Sequence, residues 1–145
     1  MPYALAAFIS GFAATLIFHQ GLFALLHSLG AVPYPAYSMA PTAPLGIPAV
    51  FSLAFWGGVW GLILWPLVGA ARGASFWIRC IVIGALGPSL VALLLVFPLK
   101  GQAFAAGGDI KIWVGALLLN GAWGLGLGLG LTLLPGGRSS RALAS

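Results

Sequence analysis

The sequence predicts an all-α fold: a polytopic membrane protein of four transmembrane helices in an antiparallel up-down bundle, N- and C-termini cytoplasmic. Three observations carry that expectation. Of the 145 residues, 61% are hydrophobic and 5% charged, where a soluble domain carries about 25% charged residues. The mean hydropathy is +1.12, which also excludes intrinsic disorder, because disorder needs low hydrophobicity and high charge. Finally, apolar stretches of about 20 residues, enough to cross a hydrocarbon core of about 30 Å, recur along the chain. They fall at 4–29, 48–70, 78–99 and 112–134, within a single transmembrane domain covering 1–145.

The first segment lacks a basic n-region, and its apolar run exceeds the roughly 7–15 residues of a signal-peptide core. It is therefore expected to remain as the first span. The connection after it, 30–47, has no charge, two tyrosines and prolines at 33, 35, 41 and 44, with Pro48 following. Loops of this length without helical pattern are often lids or binding elements. This one is expected to fold back over the periplasmic mouth of the bundle, with Tyr34, Tyr37 and Met39 contacting protein or headgroups; a plain surface cap is the alternative. Pro48 suits the first turn of the second helix. The stretch 71–77 reads as a short second loop, 100–111 as the third, and 135–145 as a tail.

Orientation follows from Lys and Arg, which gather on the cytoplasmic side of membrane spans. Arg72, Arg79, Arg138 and Arg141 belong to one face of a four-span chain, and Lys100 and Lys111, with Asp109 beside them, to the other. Both ends are therefore expected in the cytoplasm. Six basic residues spread over three connections read as topology determinants, not as a phosphate-tracking patch, so no nucleic-acid partner is expected. Tyr3, Tyr34, Tyr37, Trp65, Trp77 and Trp113 sit near the expected span ends, where Tyr and Trp favour the headgroup level. Trp56, Trp60 and Trp123 lie deeper and are expected to fill space beside glycines.

Within lipid, helices associate through close backbone approach and interhelical hydrogen bonds. The second segment offers Gly57 and Gly61 at GxxxG spacing. The fourth offers Gly124 with Gly128 and Gly126 with Gly130, two pairs on different flanks because alternate helical residues point about 200° apart. A helix with neighbours on both sides is the expected result. The alternation GLGLGLGL is not a strand, whose backbone would be unsatisfied in hydrocarbon. Nor is it a dinucleotide loop, which needs a preceding strand.

Polar groups at membrane depth require an explanation. His19 and Gln20 on the first helix and Asn120 on the fourth fall at about the same depth, and Ser89 follows Pro88 near the middle of the third. Pro88 lacks an N–H and so leaves the Gly84 carbonyl available. His19 or Gln20, Asn120 and the Pro88–Ser89 turn are expected to face one another in one polar layer. Such a layer is either a hydrogen-bonded clamp, each bond contributing about 0.6 kcal/mol, or a binding or proton-handling site around His19.

Several chemistries are disfavoured. The sole acid, Asp109, lies in a loop, so no Ser–His–acid set can form within the bilayer, and no catalytic residue is assigned. Cys80 has no cysteine partner and reads as an inert helix residue. His19 and His27 lie about 12 Å apart along one helix, so a single haem iron cannot take both, and no CxxCH motif exists. No cofactor and no metal site is expected.

FHQG in the first helix and SMAPTAPLGIPAVFSLAFWGGVWG across the loop and second helix resemble segments of small uncharacterised four-helix bacterial inner-membrane proteins. The resemblance covers about half the chain and implies a location, the bacterial inner membrane, with no activity to carry over. The leading expectation is an integral inner-membrane protein of structural or accessory type, partnered by the lipid bilayer and by itself or another membrane protein. A small oligomeric transporter or channel built around the polar layer is the alternative, and a membrane haem or redox protein comes third.

Overall fold

The computed structural model describes residues 1–136. Four helices dominate it: α1 (Tyr3–Ser28), α2 (Ala49–Val68), α3 (Gly73–Leu99) and α4 (Ile110–Leu133), each long and apolar enough to cross a membrane. The third helix starts at Gly73, not at 78. The stretch 73–77, expected as loop, is its first turn and more. A helix end at the membrane surface need not be apolar, so hydropathy underestimates it. Arg138 and Arg141 lie outside the described residues.

α1 ends in a paired set of bonds. Gly30 donates its N–H to the His27 carbonyl and Ala31 to the Leu26 carbonyl, the Schellman arrangement, with Gly30 at φ +75° supplying the left-handed residue it requires. α4 opens on Asp109, whose Oδ1 accepts from the Lys111 N–H at 2.9 Å, a side-chain cap of the usual acidic kind. Pro66 and Pro88 sit inside α2 and α3 without ending them. Two wide turns interrupt the regular helices, at Thr15–His19 in α1 and Ala92–Val96 in α3; such π turns leave a carbonyl without its helical donor.

The contacts at glycine give the register. α1 and α2 approach at Gly11, Gly57 and Gly61: a Cβ on Gly61 would strike the Ala7 carbonyl oxygen, and one on Gly57 would meet Thr15. Partner numbers fall as α1 numbers rise, so these helices run antiparallel. α3 and α4 do likewise, through Trp77 with Gly128, Cys80 with Gly124 and Gly84 with Gly124. α4 also runs antiparallel to α1, with Ser10 against Gly130 and Ala14 and Phe18 against Gly126. α4 thus packs on both α3 and α1, α1 also packs on α2, and α2 meets α3 less closely than any of these pairs.

The apolar core lies toward the end of the bundle that holds Tyr3 and Trp65. Leu64, Val68, Phe76, Cys80, Trp123, Leu127 and Leu131 form one buried cluster there. The Tyr3 and Trp65 rings stack across α1 and α2 with centroids 5.9 Å apart. At the opposite end the first connection carries a small hairpin, β1 (Pro41–Thr42) against β2 (Ile47–Pro48). The third connection coils left-handed through Ala105 and Ala106, at φ 52° and 54°, and the Trp113 indole N–H donates to the Ala105 carbonyl at 2.9 Å. Outward-facing positions such as Ile17, Ile63, Val82, Leu86 and Leu118 are exposed and apolar.

Candidate functional site

Two of the four expected polar residues meet across helices. Ser89, one residue beyond Pro88 on α3, is fully buried, and the Asn120 amide on α4 donates through Nδ2 to its Oγ at 3.0 Å. The glycines of both helices make this possible. A Cβ on Gly84 would come within 2.8 Å of Gly124 Cα, so the backbones lie close enough for two short side chains to span the gap.

Gln20 is placed elsewhere, and the expected single layer is corrected to two separate pairs. Its Oε1 accepts from the Tyr37 backbone N–H at 2.7 Å, which orients the amide. Nε2 then faces His19 Nδ1 at 3.3 Å, making Nδ1 the acceptor and placing the neutral ring's proton on Nε2. Among the described residues no hydrogen bond joins the Gln20–His19 pair to the Ser89–Asn120 pair. The physical reason is competition: the first connection brings a backbone N–H that needs an acceptor, and Gln20 faces it while Asn120 faces α3.

The same connection makes a second contact with α1. The Tyr37 hydroxyl donates to the Leu16 carbonyl at 2.9 Å. That oxygen is available because of the wide turn at Thr15–His19, where the Gln20 N–H, its ordinary partner, goes to the Thr15 and Ile17 carbonyls instead. Nearer the end of α1, His27 Nδ1 lies 3.0 Å from the Val32 carbonyl oxygen and donates to it. Of the three side chains expected to dock, Tyr37 does. Tyr34 and Met39 do not bury against the protein, being 72% and 62% exposed. A cavity of about 110 Å³ lies beside the connection, lined by Gln20, Phe23, Pro35, Ser38, Ala49, Val50 and Leu53. Neither Ser89 nor Asn120 borders it.

The glycines expected to pack helices divide as their spacing suggested. Gly57 and Gly61 face α1, Gly124 and Gly128 face α3, and Gly126 and Gly130 face α1. Trp60 lies against Gly87 and Trp123 is buried, whereas Trp56, also expected to fill the interior, is 58% exposed. It shares a face of α2 with Trp60, one turn away, yet lies open at its own level.

One polar junction has no counterpart in the sequence reading. The Gly11 carbonyl accepts from the buried Trp123 indole N–H at 2.9 Å and from the Thr15 hydroxyl at 3.0 Å. Because Gly11 also abuts Gly57, this oxygen sits where α1, α2 and α4 converge. A glycine within an apolar run and a threonine four residues on are the signals that point to it. Among the described residues Ser10 Oγ, buried against Gly130, has no hydrogen-bond partner.

Among the described residues no group of three or more His, Cys, Asp or Glu side chains is placed to hold a metal ion. The structure thus joins helices through the Ser89–Asn120 and Gly11–Trp123 bonds, and joins α1 to the first connection through Tyr37. Comparison with protein families, with curated proteins and with solved structures finds no match to this chain.

Proposed function

We propose that the protein is a multi-pass protein of the bacterial inner membrane, both ends cytoplasmic, acting as a structural or accessory component. It works through helix packing, with a second copy or with another membrane protein. The observation that carries this reading is the tight contact of α4 with α3 and α1: Ser89 is fully buried beneath Asn120 and Trp123 is 2% exposed, which favours polar groups that serve one another over a solute path. In the sequence, Arg72, Arg79, Arg138 and Arg141 fall on one face of a four-span chain, against Lys100 and Lys111 with Asp109 on the other, which supports the orientation under the positive-inside tendency. The resemblance of the FHQG and loop segments supports the choice of membrane.

The test is reconstitution of the full chain into phosphatidylglycerol and phosphatidylethanolamine vesicles, with subunits counted by single-molecule photobleaching and solute leak measured in parallel. The structural reading expects a defined oligomer, or a monomer that pairs only with its partner protein, and no leak above empty vesicles. Proton or ion flux that disappears in Asn120→Leu would overturn it in favour of the transport alternative.

A further inference from the structure

The first connection does not cap the bundle; it descends beside α1. Measured from Tyr3, which stacks on Trp65 and marks one headgroup level, Gln20 lies about 26 Å along α1 and Leu16 about 20 Å, at ~1.5 Å per residue. Both fall short of the roughly 30 Å of hydrocarbon, and any helix tilt draws them deeper. Tyr37 is bound at both points. α2 begins at the same level, since the Ala49 and Val50 N–H groups donate to the Ala40 and Ser38 carbonyls beside the Gln20 cavity. α1 continues about 12 Å beyond Gln20 to Ser28. The connection therefore occupies the place that further turns of α2 would take.

Irregular backbone at such depth is tolerated only where its polar groups are matched within the protein. In residues 30–48 part of these groups are matched and others are removed. Five prolines remove N–H groups outright, and no side chain is charged. Tyr37 N–H has Gln20 Oε1, Ala40 N–H has Ser38 Oγ, Gly46 N–H has the Thr42 carbonyl, and the Thr42 hydroxyl has the Ile47 carbonyl.

We propose that residues 30–48 form a re-entrant strap seated within the membrane body, and that Tyr37 on Gln20 and Leu16 is the latch that holds it across the cavity between α1 and α2. The inference rests on the membrane-spanning reading above. The wide turn at Thr15–His19 belongs to the device, because it releases the Leu16 carbonyl that the Tyr37 hydroxyl takes. Opening the latch uncovers the Gln20 amide and the cavity wall of Phe23, Val50 and Leu53 toward the bilayer.

The experiment uses the full chain carrying Cys80→Ala in phosphatidylcholine and phosphatidylglycerol vesicles, with a charged maleimide loaded on both sides. Three single cysteines are compared: Leu29→Cys just past the end of α1, Ile63→Cys on the outer surface of α2, and Ser38→Cys in the strap. Ser38 is exposed in the fold, so lipid alone can screen it. The strap predicts rapid labelling at 29, none at 63, and labelling at 38 slower than at 29 by about tenfold or more. Gln20→Leu and, separately, Tyr37→Phe raise the rate at 38 by about threefold per lost bond, the effect expected of one hydrogen bond within the membrane, and leave 63 unlabelled. Equal labelling at 29 and 38 with 63 protected overturns the strap while the membrane reading stands. Labelling at all three overturns the membrane reading with it. A protected Ser38→Cys that neither latch variant affects overturns the latch.

Discussion

Replacing Gly124 by Ala tests the close approach of α3 and α4 with a single carbon. An added Cβ would strike the Cys80 carbonyl oxygen and stand 3.0 Å from its carbon and 3.2 Å from Ile81 Cα. Carbon atoms prefer about 3.5–4.0 Å, and every atom met is backbone, so no rotamer change relieves the contact. The helices must part by roughly 1 Å, and a gap of 0.5–1 Å forfeits a quarter to a half of the dispersion at each contact. That places the cost at the upper end of overpacking, about 3 kcal/mol. The better helix propensity of Ala returns up to about 1 kcal/mol, for a net loss of about 2 kcal/mol. Gly115→Ala is the matched control on the same helix: nothing lies within 4 Å of its added Cβ, so it is neutral or stabilises by up to about 1 kcal/mol. Steric-trapping measurement of unfolding in bicelles reads both values. Two variants within about 0.5 kcal/mol of one another, a typical surface-substitution effect, would refute the packing argument.

Ser89→Ala and Asn120→Leu, combined in a double-mutant cycle, should couple by about 0.6 kcal/mol; strictly additive effects mean that the two side chains do not meet in the membrane. Trp123→Phe should cost only about 1–2 kcal/mol, since one hydrogen bond near 0.6 kcal/mol is lost and the Gly11 carbonyl keeps the Thr15 hydroxyl. A cost above about 4 kcal/mol, in the range of a severe core truncation, would show that Trp123 is the essential donor at that junction.

What the sequence conveyed was governed by period and hydropathy. The four long apolar helices follow from apolar length alone. The two flanks of the fourth helix follow from the spacing of Gly124, Gly126, Gly128 and Gly130, because helical geometry fixes which residues share a face. The start of α3 was missed because Arg72 to Trp77 is too polar for a hydropathy window, although such a turn is acceptable at a membrane surface. The Trp123–Gly11 bond joins residues far apart in the chain, and no local pattern encodes such a pairing. Gln20 and Asn120 were legible as polar groups at depth, but their partners were not. Assigning Gln20 to Tyr37 required knowing that a proline-rich connection runs down beside α1, and left-handed backbone at Tyr37, φ 57°, has no sequence signature.

The most direct measurement is side-specific labelling in intact cells with a membrane-impermeant maleimide, on single-cysteine variants at the three connections in a Cys80→Ala background. Leu29→Cys and Gln102→Cys, both exposed beyond helix ends, should label from outside. Ala74→Cys, exposed at the start of α3, should label only after permeabilisation. Ala74→Cys reacting from the same side as Gln102→Cys would mean that α3 does not cross, and the four-span account would fall.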